Sequence, residues 1–194
     1  MIRLALMRHG HTQWNRQGRI QGRTDIPLDP EAEKHLSALR LPAPWQSADL
    51  VSSPLTRAID TARLVGQRAP VPVPALTEMD WGDWEGKKGA ELLAEPGSGY
   101  LHIEDWGWDY RPPNGESPKA VHDRVMQWAN ALSRDTVAVC HIGIMRVLLA
   151  QATGWDFTGP APFRIKRDRL FVLTRAQGRW HADDTPVRLE AAAL

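Results

Sequence analysis

Short apolar runs alternate along this chain with longer stretches whose apolar residues recur at helical spacing. The runs Ile2–Met7, Asp49–Ser52, Val71–Val73, Thr136–Cys140, Leu170–Thr174 and Arg179–Ala182 predict strands. The stretches Pro30–Arg40, Pro54–Gln67, Lys87–Ala94, Pro118–Leu132 and Gly143–Thr153 predict helices. Ser53-Pro54 reads as an N-cap followed by a first-turn proline, and Gly154 as a helix stop. Strands alternating with helices predict an α/β fold of three layers: a mostly parallel sheet with helices on both faces. Residues 79–115 break the rhythm. They are rich in Gly, Pro, Trp and acidic residues, and predict a small insertion or lid over the active-site edge of a single domain spanning 1–194. The tail Glu190–Leu194 is expected to fray.

Composition narrows the function classes. A chain of 194 residues with 42% hydrophobic and 24% charged residues suits one globular domain with an ample core. A net charge of +1 without long runs of one sign argues against a nucleic-acid partner or a polybasic membrane surface, so charge used on a ligand must be local. The single cysteine, Cys140, allows no disulfide within the chain and reads as a buried strand residue. The opening apolar run is too short for a signal-peptide core and no run is long enough to cross a bilayer, so a cytoplasmic protein is expected. Oligomeric state is not legible.

The candidate chemistry stands at predicted strand ends. Ile2–Met7 empties into Arg8-His9-Gly10, at the sheet edge where α/β folds place their sites. The arginine fork matches phosphate oxygens, and the glycine would let a phosphate-sized group approach the backbone. Taken alone, this triplet suits a core histidine equally well. His141 repeats the arrangement after Thr136–Cys140, and parallel strands would bring the two histidines to one edge. Arg57, near the start of its helix, would add a guanidinium and a helix dipole for an anion. Glu78, Asp80, Asp83 and Glu85 lie beside Trp81 and Trp84, where one carboxyl could be raised in pKa and donate a proton. A histidine nucleophile, two arginines, a second histidine and an acid form a set suited to phosphoryl transfer.

Five segments then resemble the histidine phosphatase, or phosphoglycerate mutase-like, superfamily. They are 6–15, 21–28, 52–58, 78–86, and 113–117 with His141 beyond. The resemblance implies that His9 is the phosphorylated nucleophile and that Arg8, Arg57 and His141 hold the phosphate. It further implies that Asn15 adds a polar contact, that Glu78 is the acid and then the base, and that Arg23 faces the substrate. It implies no metal and no cofactor. Two departures stand out: Ile142 replaces a glycine usual after the second histidine, and Cys140 replaces a hydroxyl residue before it.

The function implied is a metal-independent phosphomonoesterase for a small phosphorylated metabolite. A phosphoglycerate mutase-type phosphotransferase is the alternative, disfavoured by the short chain and by Met79-Asp80 after Glu78. A non-catalytic phosphate-binding protein would typically lose the nucleophile or the acid, and both are present. A metal site on His9, His11 and His141 lacks a paired carboxylate and would face repelling arginines. Sugar phosphates, phosphoglycerates and nucleoside-type monophosphates such as α-ribazole phosphate all remain open. Trp106-Gly107-Trp108 is a poor core strand, so Trp106 and Trp108 are expected to wall the non-phosphate part of the substrate pocket and favour esters with a ring or apolar group.

Overall fold

A computed structural model of the chain describes residues 1–192. In chain order the strands and helices begin β1 (Ile2–Arg8), α1 (Gln13–Arg16), α2 (Pro30–Ser37), β2 (Leu39–Arg40), α3 (Ala43–Gln46), β3 (Asp49–Ser52), α4 (Thr56–Gly66) and β4 (Val71–Pro72). They continue α5 (Gly89–Ala94), α6 (Pro118–Asn130), β5 (Thr136–Cys140), α7 (Ile142–Thr153), β6 (Arg169–Ala176), β7 (Arg179–Ala182), β8 (Val187–Arg188) and β9 (Glu190–Ala191). The main sheet runs β4-β3-β5-β1-β6-β7, with β8 also on β6. Its β4, β3, β5 and β1 are parallel, while β6 is antiparallel to β1, β7 and β8.

The period-2 alternation of strand side chains sorts the sheet into two buried faces. Leu4, Leu6, Ala138, Cys140, Phe171 and Leu173 pack with Val121 and Val125 of α6 and Ile144 and Leu148 of α7. Ala5, Met7, Val137, Val139 and Val172 pack with Ala32 and Leu36 of α2 and Ala58, Ala62 and Val65 of α4. The three-layer α/β architecture follows from this double burial.

Three local expectations are corrected. Helix α4 starts at Thr56, not at Pro54. Ser53 is no cap, because Asp25 takes that role: its Oδ1 accepts from Thr56 N at 2.9 Å and its Oδ2 from Thr56 Oγ1 at 2.7 Å. Helix α2 stops at Ser37, and Leu39–Arg40 turns into a strand that pairs antiparallel with Glu190–Ala191. The tail is therefore anchored at 190–191 instead of frayed, and residues 193–194 lie outside the described residues. Gly154 does end α7, in the left-handed conformation at φ 77°.

Candidate active site

Strand register sets the centre of the site. β1 and β5 are parallel neighbours with Arg8 opposite Cys140, so the next residue of each strand, His9 and His141, emerges side by side. Their ring centroids are 5.1 Å apart. Both are buried, and both imidazoles are held well below the ordinary histidine pKa, chiefly by desolvation and then by neighbouring positive groups. His9 Nδ1 lies 2.6 Å from Gly10 O. A carbonyl can only accept, so Nδ1 carries the proton and Nε2 keeps its lone pair for attack. His141 Nε2 lies 2.7 Å from Ser53 Oγ, which accepts from Leu55 N. Assigned from this network, the serine hydroxyl donates to Nε2, and the proton of His141 sits on Nδ1, a buried atom with no partner among the described residues.

The guanidinium of Arg57 is fully buried. Its Nη1 donates to Thr24 O at 2.9 Å and its Nη2 to Gly22 O at 2.6 Å. Those carbonyls belong to a loop that Glu85 holds from beneath, accepting from Arg23 N at 2.7 Å and Thr24 N at 2.9 Å. A Cβ on Gly22 would overlap the Glu85 carboxylate, which explains the glycine there. Arg8, at the end of β1, has its pKa pulled down to about 9 by burial and then by Arg167 and Arg146. Among the described residues, Arg8 Nε, Gln21 Nε2, Arg40 Nε, Ser52 Oγ, Arg57 Nε and His141 Nδ1 are buried without a hydrogen-bond partner, and Arg8, Gln21, Arg57 and His141 belong to the site. Each such atom costs about 1–3 kcal/mol if left unmet, so a cluster of them is a site shaped for an oxygen-rich anion.

Glu78 is the buried acid of its segment. Its Oε1 accepts from Met79 N at 2.8 Å and its Oε2 from Gly143 N at 3.2 Å, at the start of α7. Desolvation raises its pKa, and the two amides and Arg57 and Arg8 offset only part of that rise. The other three carboxylates have structural work. Asp80 accepts from Gly82 N, Asp83 from Asn114 Nδ2, and Glu85 from the Arg23–Thr24 backbone.

The family model described as the histidine phosphatase superfamily (branch 1) matches residues 4–185. The chain belongs to the histidine phosphatase superfamily. It is 36% identical over 169 residues to a glucosyl-3-phosphoglycerate phosphatase of Mycolicibacterium vanbaalenii, covering 78% of this chain and 74% of that one. It is 33% identical over 193 residues to an adenosylcobalamin/alpha-ribazole phosphatase of Escherichia coli, covering 94% of this chain and 90% of that one. A solved structure of a putative alpha-ribazole-5'-P phosphatase from Escherichia coli superposes with a TM-score of 0.78 at 30% identity, covering 100% and 98% of the two chains.

Against this histidine phosphatase frame, His9, His141, Arg8, Arg57 and Glu78 gather at one sheet edge, while the remaining candidates divide. Asn15 sits beside them, but its Oδ1 already accepts from Thr12 N at 3.1 Å and Arg167 Nη2 at 3.0 Å, and its Nδ2 donates to Gln21. Arg23 is a neighbour of Glu78 that is tied down by acids, with Glu116 at 2.9 Å and Asp80 at 3.4 Å. Ile142 is the first residue of α7, and the glycine the site needs comes one residue later: a Cβ on Gly143 would overlap the Glu78 carboxylate.

Trp106 and Trp108 pack among other aromatic rings. Trp106 is buried, its ring is 5.0 Å from Tyr110 and 5.3 Å from Trp81, and its Nε1 donates to Leu101 O at 3.1 Å. Trp108 packs edge-on against Phe157 at 4.9 Å and His122 at 5.4 Å. Trp106 thus packs within the insertion and on Phe157, and Trp108 ties the insertion to His122 of α6. Sequence reasoning missed Ser53, Gln21 and Arg167. Ser53 and Gln21 stand inside the quoted segments. Arg167 stands in an irregular stretch before β6 with no motif to mark it.

Proposed function

We propose that this chain is a metal-independent phosphomonoesterase that hydrolyses a small phosphorylated metabolite through a phosphohistidine. The observation that carries this reading is the set of buried donors at Arg8, Gln21, Arg57 and His141 that find no acceptor among the described residues, beside a His9 whose pKa is held low. His9 Nε2 attacks phosphorus while Arg8, Arg57 and His141 Nδ1 take up the charge on the phosphoryl oxygens. The P–O bond to the alcohol breaks, and Glu78 gives the departing oxygen a proton. The Glu78 carboxylate then accepts a proton from water, whose oxygen displaces His9 and releases inorganic phosphate. Guanidinium groups supply the charge stabilisation that a divalent metal provides elsewhere.

The phosphatase names of the two relatives above support hydrolysis, other relatives carry the name probable phosphoglycerate mutase, and the substrates in the phosphatase names support a small phosphorylated metabolite as the ligand. No helix among the described residues is long and apolar enough to cross a membrane. A cytoplasmic enzyme working as one unit over 1–194 suits the ordinary composition, with residues 79–115 as a packed roof in place of a mobile lid. A panel of phosphorylated metabolites assayed with a strong chelator tests the reading. Hydrolysis should survive chelation. Activity lost to the chelator and recovered with a divalent metal would overturn it.

A further inference from the structure

Arg167 makes no ion pair among the described residues, although Asp168 and Asp29 lie near enough to favour its charge. It is half-buried, its Nε donates to His9 O at 3.1 Å and its Nη2 to Asn15 Oδ1 at 3.0 Å. Both partners are neutral. The carboxylates near it are engaged elsewhere: Asp168 with His35 at 2.9 Å and Asp29 with Arg16 at 2.8 Å. Nη1 has no protein partner among the described residues. Its charge is felt at Arg8, whose pKa it helps to lower, and Arg16 is a second like charge beside it. A neutral side chain would brace the His9 loop as well and would avoid this repulsion. Guanidinium groups whose charges oppose each other, as those of Arg167 and Arg8 do, are stable together when an anion joins them.

We infer that Arg167 is a third phosphate-binding arginine of this site, and that Asn15 is a positioning residue that aims it. This deepens the phosphatase reading and rests on it. The geometry divides the work of the carried-over asparagine. Asn15 Oδ1 is consumed by Thr12 N and Arg167, and its Nδ2 by Gln21. The free guanidinium edge therefore meets the phosphate, and the amide fixes where that edge lies. A pocket with Arg8, Arg57 and Arg167 around neutral histidines matches a doubly charged monoester and discriminates against singly charged diesters.

The probe is inorganic phosphate, read as competitive inhibition of aryl phosphate hydrolysis and as a rise in unfolding temperature. Losing one charge-assisted contact should raise the phosphate inhibition constant of Arg167→Gln about ten- to hundredfold. Arg167→Lys should fall between, because an ammonium lacks the fork. Arg164→Gln, which removes the same charge from an exposed position of the same segment, should behave as wild type. Asn15→Ala should weaken phosphate binding in the wild-type background and add nothing in Arg167→Gln, as expected of a residue that acts through another. If Arg167→Lys and Arg167→Gln unfold at lower temperature yet keep the wild-type inhibition constant, Arg167 is only a brace and the inference is overturned. If the wild-type enzyme neither hydrolyses esters nor binds phosphate, the phosphatase reading itself fails.

Discussion

Two opposing influences act on Glu78. Burial favours its neutral form, while the amides of Met79 and Gly143 favour the carboxylate. Burial dominates, so the group keeps its proton to higher pH than an ordinary glutamate, as a proton donor requires. A poor leaving group needs that proton and a good one does not. Glu78→Gln should slow alkyl phosphates by about 10²–10⁴-fold and nitrophenyl phosphate far less, measured as kcat on the two esters. An equal loss on both would make Glu78 structural. Gly143 offers a second test at the same atom. A methyl group there would overlap the carboxylate, so Gly143→Ala should reproduce the leaving-group dependence while leaving the helix intact. The neighbouring glycine of the nucleophile loop has another reason to exist. A Cβ on Gly10 would stand 2.7 Å from Leu36 Cδ1 and 3.0 Å from Leu28 Cδ2, so its small size also serves packing against Leu36 of α2 and Leu28 of the chain before it.

Among the elements, the aromatic insertion carries the clearest stability prediction. Trp106 is buried between Trp81, Tyr110 and Phe157, and Trp106→Ala should cost about 3–5 kcal/mol, read as a lower denaturant midpoint. A raised KM at unchanged stability would instead support the pocket-wall role. The strands that carry His9 and His141 were legible because a buried parallel strand is a short apolar run closed by its functional residue. The start of α4 was not legible. Ser53 looks like a cap, but its hydroxyl is spent on His141, and the cap comes from Asp25, 31 residues upstream of Thr56. The β2–β9 pair was equally hidden, since two-residue strands have no periodicity and pairing the chain's two halves is a tertiary event. Arg167 escaped because it sits in irregular chain, where spacing carries no signal, and only the folded distance to His9 O reveals it.

At the scale of the whole molecule, folding gathers cationic and neutral imidazole groups that would rather be apart or charged. His9 and His141 both bind protons more weakly in the folded protein than in the unfolded chain. Their contribution to stability is therefore fully present above the ordinary histidine pKa of about 6.5 and is lost as pH falls below it. Glu78 has the opposite sign, because its raised pKa favours the fold at low pH and that gain is lost as pH rises through its folded value. Denaturant midpoints should drop between about pH 7 and pH 5.5, with a smaller drop in His141→Gln. A wild-type midpoint that is flat over this window would contradict the neutral histidine pair. Added phosphate should raise stability at each pH, because the anion meets the donors that folding leaves without acceptors.

The central claim is that His9 carries the phosphoryl group in turnover, and rapid quench with a labelled phosphate ester measures it directly. Turnover should pass through a transient phosphoenzyme that is acid-labile and base-stable, located on His9 and absent from His9→Ala together with turnover. Label that persists in His9→Ala, or that maps to Cys140, would contradict it.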